Sequence, residues 1–327
     1  MQPARRHLLA LCTGLAAVGA MQRVHAQAAF PNRPVVLVVP YPPGGGTDFF
    51  ARAVAAKMGE RLGQPVVIEN KPGAATAIGA TDVARAPPDG YRMLLGDTAT
   101  FAANSHIYKK LAYDTLRDFT PVSLSGRFTL VLVVNPQVLP YASITELVAA
   151  ARAAPGTINY ATSGAGNPFH LATVMFEHAA GITLSHVPYK GAGPALQDLL
   201  GGQIGMMFLD YATARTQLAS GKLRALAVAS PTPHPNLPRV PTVAASYPGF
   251  EAWAWQGLVV PSGTPPAVVT KLRDAYFAAI NDPAIRQKIV DAGIEPLHSS
   301  GEQMDAYVRA EIAKWGQVVN EANIRLD

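Results

Sequence analysis

The sequence predicts an α/β protein of two similar domains joined by a hinge, and three observations predict it. A β-branched run, a glycine loop and an amphipathic helix follow one another between Val35 and Met58. The same order of elements recurs from Ile158. Two apolar stretches, one near Gly126 and one from Phe250, stand where the chain would leave one domain and return to it.

Val35–Val39 is a continuous apolar run of strand length, as a strand buried on both faces of a parallel sheet requires. Pro42 and Pro43 end it. Gly44, Gly45 and Gly46 then remove three Cβ atoms in succession, so the backbone is free to take positive φ and a ligand can approach main-chain N–H groups. Thr47 is placed as an N-cap, and Phe50, Val54 and Met58 fall one per turn on one helix face. Strand, glycine loop and helix N-terminus together favour an anion, through free N–H donors and the helix dipole. A tight βα turn with no ligand is the plainer reading of the same residues.

The recurrence strengthens the first reading. Residues 158–161 form a second short strand, Ser163-Gly164-Ala165-Gly166 a second small-residue loop, and Asn167-Pro168 an N-cap followed by proline at the first helical position. After each helix comes a strand, 66–69 in one unit and Ser185–Pro188 in the other. A turn, a helix and a glycine turn follow, and then a strand with a polar end: Asp97-Thr98 in the first unit, Asp210 in the second. The two glycine loops are expected to face each other across a cleft.

Residues 1–26 read as a secretory signal. Arg5 and Arg6 supply the positive end, 8–20 the apolar core, and Val24-His25-Ala26 a small-residue cleavage site. The apolar run is short for a membrane span. Cleavage would remove Cys12, the only cysteine, and with it any disulfide or thiolate chemistry. Export without disulfides fits a bacterial periplasmic protein stabilised by a large core. Arg5, Arg6 and Arg23 leave with the signal and no acidic residue does, so the formal charge of +5 falls to +2. There is no basic stripe with interleaved aromatics, and nucleic-acid binding has no support.

Residues 104–120 read as a polar, turn-rich connection leading into the first crossing near Gly126. A helix over 144–154 and the repeated unit follow. Residues 250–261 read as the return crossing, and helices over 266–280, 283–292 and 301–322 as packing back on the first domain. The expected domains are therefore 27–127 with 252–327, and 128–251, a hinge architecture.

The blocks PYPPGGGTD, ENKPGA, PPDGY, ATSGAGNPFHLA, VPYKGAGPALQDLLGGQI, PRVPTVA and KWGQVVNEANIRLD extend over essentially the whole mature chain. In them the sequence resembles the Bug (TctC-type) substrate-binding proteins of tripartite tricarboxylate transporters. The resemblance implies a type II periplasmic binding-protein fold, a small carboxylated ligand held between two lobes, no catalysis, no cofactor, and a two-component membrane permease as partner. It also implies recognition largely through main-chain groups, with Gly44 to Thr47 and Ser163 to Gly166 as the two gripping loops and Tyr41 closing one wall. The chain departs from the family pattern at Ala75-Thr76-Ala77, usually richer in glycine, and at Asn167, usually serine.

The individual side chains carry different expectations. Asp48 in a helix first turn is ordinarily a structural cap, and a ligand role would need an ammonium, a hydroxyl or a water beside it. Asn70 after a strand is ordinarily a turn former, although the resemblance turns it to the cleft. Thr98 and Asp210 stand beyond equivalent strand ends, where open α/β sheets hold ligands. His170 lies near the second helix start, as a ligand or loop-orienting group. With Glu177 and His178 it has the wrong order for an HExxH metal site, so no metal is expected. Lys190 is a second-rank anion partner, and Trp253 and Trp255 are expected to pack.

A hydrolase using His170 and an aspartate is the rival enzyme reading, but G-x-S-x-G is absent around Ser163 and no Walker lysine follows the first glycines. A sensor's ligand-binding partner would use the same cleft. The chain reads as monomeric, and its ligand remains open between a citrate-like acid, an acidic amino acid, an aromatic acid and a carboxamide.

Overall fold

The computed structural model describes residues 30–322 and 324–326, so the expected signal at 1–26 lies outside the described residues. The elements below all belong to the unit that starts at Arg33.

The first half-unit runs β1 (Val35–Val39), α1 (Gly46–Leu62), β2 (Val66–Asn70), α2 (Ala77–Ala84) and β3 (Arg92–Asp97). Strand β1 lies between β2 and β3 and pairs with both in parallel. This is the two-sided burial that its unbroken apolar run predicts. Phe50, Val54 and Met58 are all buried on the inner face of α1, and each such side chain withdrawn from water stabilises by about 1.5–3 kcal/mol. The helix starts two residues earlier than Thr47 as a cap would imply. Gly45 is the N-cap, with extended φ of −85° and ψ of 174° and no side chain to cap with.

A π-helical turn, Ala99–Ala103, leads into α3 (Asn104–Ile107), where the sequence reading expected only a turn-rich connection. Strand β4 (Phe119–Val134) follows, then α4 (Ile144–Ala153), β5 (Asn159–Thr162), α5 (Pro168–Ala180), β6 (Ser185–Pro188), α6 (Ala192–Leu200) and β7 (Met206–Asp210). Asn167 caps α5 through His170 N–H, with Pro168 at the first helical position. Helix α7 (Tyr211–Ala219), unforeseen in the sequence, and β8 (Arg224–Val228) close the second half-unit. The chain returns through β9 (Trp253–Pro261) and ends in α8 (Pro266–Ile280), α9 (Pro283–Asp291), β10 (Ile294–Pro296) and α10 (Gly301–Glu321).

The strand order β2-β1-β3-β9-β4-β7-β5-β6 contains the repeat. In the first part β2-β1-β3 are parallel and β9 joins β3 antiparallel. In the second part β6-β5-β7 are parallel and β4 joins β7 antiparallel. These are the two similar α/β domains of a type II periplasmic binding-protein fold. One long strand serves both: residues Phe119 to Thr129 of β4 pair with β9, and Leu130 to Val134 pair with β7. The second crossing enters beside the first, because Trp253 is the register partner of Thr129.

The core of the first part is pinned by a buried carboxylate. Glu311 Oε2 accepts from the indole N–H of Trp255 at 2.6 Å and of Trp315 at 2.7 Å. Trp255 also stacks on Phe101 with centroids 5.9 Å apart, while the half-buried Trp253 holds the Arg127 guanidinium 4.4 Å above its ring. Both tryptophans pack, as expected. Among the described residues, no helix is long and apolar enough to cross a membrane.

Candidate functional site

The two glycine loops meet. Tyr41, Pro42, Gly45, Gly46 and Thr47 line one side of an inner cavity of about 50 Å³, and Ser163, Pro168, Phe169, Ala192 and Asp210 line the other. Asp97, Phe128, Ala254 and Gln256 complete its wall. A Cβ built on Gly46 would stand 2.7 Å from Asp210 Oδ1 and 3.0 Å from the Phe128 ring, so the loop can approach the other domain this closely only without a side chain. An outer recess of about 510 Å³ shares Tyr41, Pro42 and Ser163 with the cavity and adds residues 72–76, Gly164, Asn167, Tyr189 and the exposed Lys190.

The first loop is built to leave its donors free. Gly45 provides no capping side chain, so the first-turn N–H groups of Gly46 and Thr47 have neither an intrahelical acceptor nor a side-chain cap. The Thr47 hydroxyl accepts from the Gln256 amide. Behind the loop, Asp48 Oδ2 accepts from Gly44 N–H at 3.0 Å and from Arg52 Nε at 2.9 Å, while Oδ1 accepts from Asn70 Nδ2 at 2.9 Å. The Asn70 amide also donates to the Tyr41 carbonyl at 3.0 Å. Burial raises the Asp48 pKa, but the hydrogen bonds from Arg52, Asn70 and Gly44 outweigh it and hold the carboxyl below its ordinary value. Gly44, Asp48 and Asn70 thus brace the loop from outside the cavity lining.

The second loop is closed on itself. Gly166 N–H donates to His170 Nδ1 at 3.0 Å, Gly164 N–H to the Thr162 hydroxyl at 3.3 Å, and the Asn167 amide to the Ser163 hydroxyl. Gly166 takes φ of +77° with Ile107 packed where a Cβ would point, which is why a glycine stands there. His170 stacks on His186 with centroids 4.1 Å apart. Burial, aided by the neighbouring His186, lowers the His170 pKa to about 3, and burial lowers that of His186 to about 4. Both rings are therefore neutral, and His170 Nδ1 is the acceptor that orients the loop. Ala165, Gly166 and His170 lie outside the lining, and Glu177 turns away to accept from Leu184 N–H at 2.6 Å.

At the strand ends, Thr98 is fully buried behind the wall, where its hydroxyl faces Trp255 N–H at 3.4 Å, and the neighbouring Asp97 lines the cavity instead. Asp97 Oδ2 accepts from the Tyr41 hydroxyl at 2.6 Å and Oδ1 from Thr100 N–H at 3.1 Å. Asp210 caps α7 by accepting from Thr213 N–H at 2.9 Å. Burial pushes the pKa of both carboxyls up against these hydrogen bonds. Gln256 was missed in the sequence, although a lone amide inside the apolar stretch 250–261 was a signal that could have found it. Residues 74–76 all take positive φ, 46°, 47° and 78°. That turn is held by the Asn104 amide on the Ala75 carbonyl at 2.7 Å and by the Thr100 hydroxyl on that of Thr76 at 2.9 Å.

Comparison with known proteins agrees with the topology. The family model described as "Tripartite tricarboxylate transporter family receptor" matches residues 50–324. Protein BugT of Bordetella pertussis is 36% identical over 299 residues, 91% of each chain. Among solved structures, R. palustris Rpa4515 with adipate superposes with a TM-score of 0.87 at 36% identity, covering 91% of this chain and 100% of that one. MatC (Rpa3494) from Rhodopseudomonas palustris with bound malate gives 0.84 at 34% identity, covering 89% and 100%. With the family match extending over most of its length, and with the repeat and the paired loops in place, the chain belongs to the tripartite tricarboxylate transporter receptor family.

Proposed function

We propose that this receptor captures a small carboxylated ligand in the inner cavity outside the cytoplasm and delivers it to a two-component membrane permease. The observation that carries the reading is the uncapped N-terminus of α1 opening into a cavity walled by both domains. Its dipole and the two free N–H groups favour a carboxylate by about 0.3–1 kcal/mol when exposed and up to about 2 kcal/mol when partly buried, and charge-assisted hydrogen bonds add to this. The adipate and malate bound by Rpa4515 and MatC support the ligand class. The outer recess would take whatever the inner cavity is too small to hold.

In this reading the domains are 27–127 with 252–327, and 128–251, and they hinge where β4 and the return crossing run side by side at Thr129 and Trp253. The ligand touches both loops only when the domains are closed, and that difference in affinity drives closure. The permease then recognises the closed, monomeric receptor in the periplasm, after removal of the signal. Catalysis has no machinery in this reading: the Nδ1 of His170 is already taken by Gly166 N–H and is not free to serve Ser163 as a base. Calorimetric titration of the mature protein against a carboxylate panel tests the proposal. Saturable binding with no change in the recovered ligand supports it, and turnover of the ligand, or no binding across the panel, refutes it.

A further inference from the structure

The inner cavity brings buried acceptors to its ligand as well as main-chain donors. Asp97 and Gln256 are register partners in the antiparallel β3–β9 pair, so their side chains stand on the same face of the sheet. They are 4% and 3% exposed, and both line the cavity. Asp210, 4% exposed, lines it from the other domain. No lysine, arginine or histidine does so among the described residues.

These acceptors are unequally occupied. The Asp97 oxygens are taken by Tyr41 and Thr100. Asp210 Oδ1 takes Thr213 N–H, and the Thr213 hydroxyl lies 2.9 Å from both carboxylate oxygens, so Oδ2 has only a share of one hydroxyl. Gln256 donates to the Thr47 hydroxyl while its Oε1 is buried with no hydrogen-bond partner. A buried carbonyl without a donor and a desolvated carboxylate without a cation are both costly. A fully ionised dicarboxylate in the cavity would worsen the second cost by bringing like charge to two acids. Asp210 and Gln256 flank consecutive residues of the first loop: the carboxylate crowds Gly46 and the amide bonds Thr47. The uncapped donors and the open acceptors are therefore adjacent.

We infer that the ligand carries an ammonium group close to its carboxylate, the carboxylate on the N–H groups of Gly46 and Thr47 and the ammonium on Asp210 Oδ2 and Gln256 Oε1. The inference rests on the carboxylate reading above and narrows it. Asp210 is then the specificity-determining residue: its charge rewards the cation and repels a second anion.

The test uses probe pairs that differ by the ammonium group alone, titrated calorimetrically into the mature protein at neutral pH: L-aspartate against succinate, L-glutamate against glutarate, and L-alanine against propionate. The ammonium-bearing member of at least one pair binds at least about tenfold tighter, the scale of one charge-assisted contact. Asp210→Asn, which keeps a helix-capping side chain, then weakens that member and strengthens the other. Gln256→Met, which removes the unpaired carbonyl at similar volume, weakens the same member and serves if the first variant does not fold. Equal or tighter binding of the members without nitrogen overturns the ammonium inference and leaves the carboxylate reading standing. Saturable binding by no member of any pair removes both.

Discussion

A Cβ on Gly46 would lie 2.7 Å from Asp210 Oδ1, with the Phe128 ring 3.0 Å away on the same side. The two residues belong to the two halves of the repeat, so in the proposed closing mechanism this spacing depends on how the halves meet and not on either loop by itself. Gly46→Ala therefore acts on closure. Overpacking of this kind costs about 1–3 kcal/mol, and the open form escapes it. Ligand affinity is expected to fall by about 5- to 150-fold with the melting temperature of the unliganded protein nearly unchanged, as titration and thermal unfolding in parallel will reveal.

Asp48 gives a contrasting result. Its carboxylate gathers Gly44 N–H, the Asn70 amide and Arg52 behind the loop. Asp48→Ala removes the acceptor that these part-buried donors share, a loss of about 0.5–1.5 kcal/mol for each hydrogen bond. Stability and affinity should fall together, read from the urea unfolding midpoint and from ligand titration.

Ala75 sits at φ of +47° in a run of three left-handed residues. A left-handed L-residue costs roughly 1–2 kcal/mol, and the greater freedom of glycine in the unfolded chain returns part of that. Ala75→Gly is expected to raise stability by up to about 1 kcal/mol, measured by chemical denaturation.

The paired histidines predict a pH dependence. His170 and His186 are held at about 3 and about 4 by burial, well below the ordinary value near 6.5. Above about 6.5 both are neutral in folded and unfolded chains alike, and nothing is lost. As pH falls from there toward 4 the unfolded chain takes up protons that the folded one refuses, so stability declines. Asp97 and Asp210, pushed up by burial, act with the opposite sign, so the comparison with a variant isolates the histidines. His186→Gln should melt with a shallower loss between pH 6.5 and 4 than the unaltered protein, while an identical slope would remove the histidines from the account.

Much of this fold was legible in the sequence because its signals are local. The β-branched run ends at Val39 as read, and Asn167-Pro168 starts α5 where an N-cap and a first-turn proline should. Helix α7 escaped because Ala214 is its only buried residue and no apolar stripe announces it. Helix α3 was hidden in the polar stretch 104–120 and the π-helical turn in what read as the end of a strand; both pack against α10, a contact between residues far apart in the chain. In the site, the glycine loops were readable from missing side chains, whereas the choice between Thr98 and Asp97 turned on where β3 ends, which alternation along one strand does not determine. Gln256 becomes meaningful only once β9 is set beside β3, a pairing between residues far apart in the chain.

The central claim concerns main-chain N–H groups, and the most direct measurement observes them. In an amide proton–nitrogen spectrum of the isotopically labelled mature protein, a binding carboxylate should move the resonances of Gly46 and Thr47 downfield, saturating at the same ligand concentration as the calorimetric signal. Saturable binding that leaves those two amides in place and shifts residues elsewhere would contradict the account.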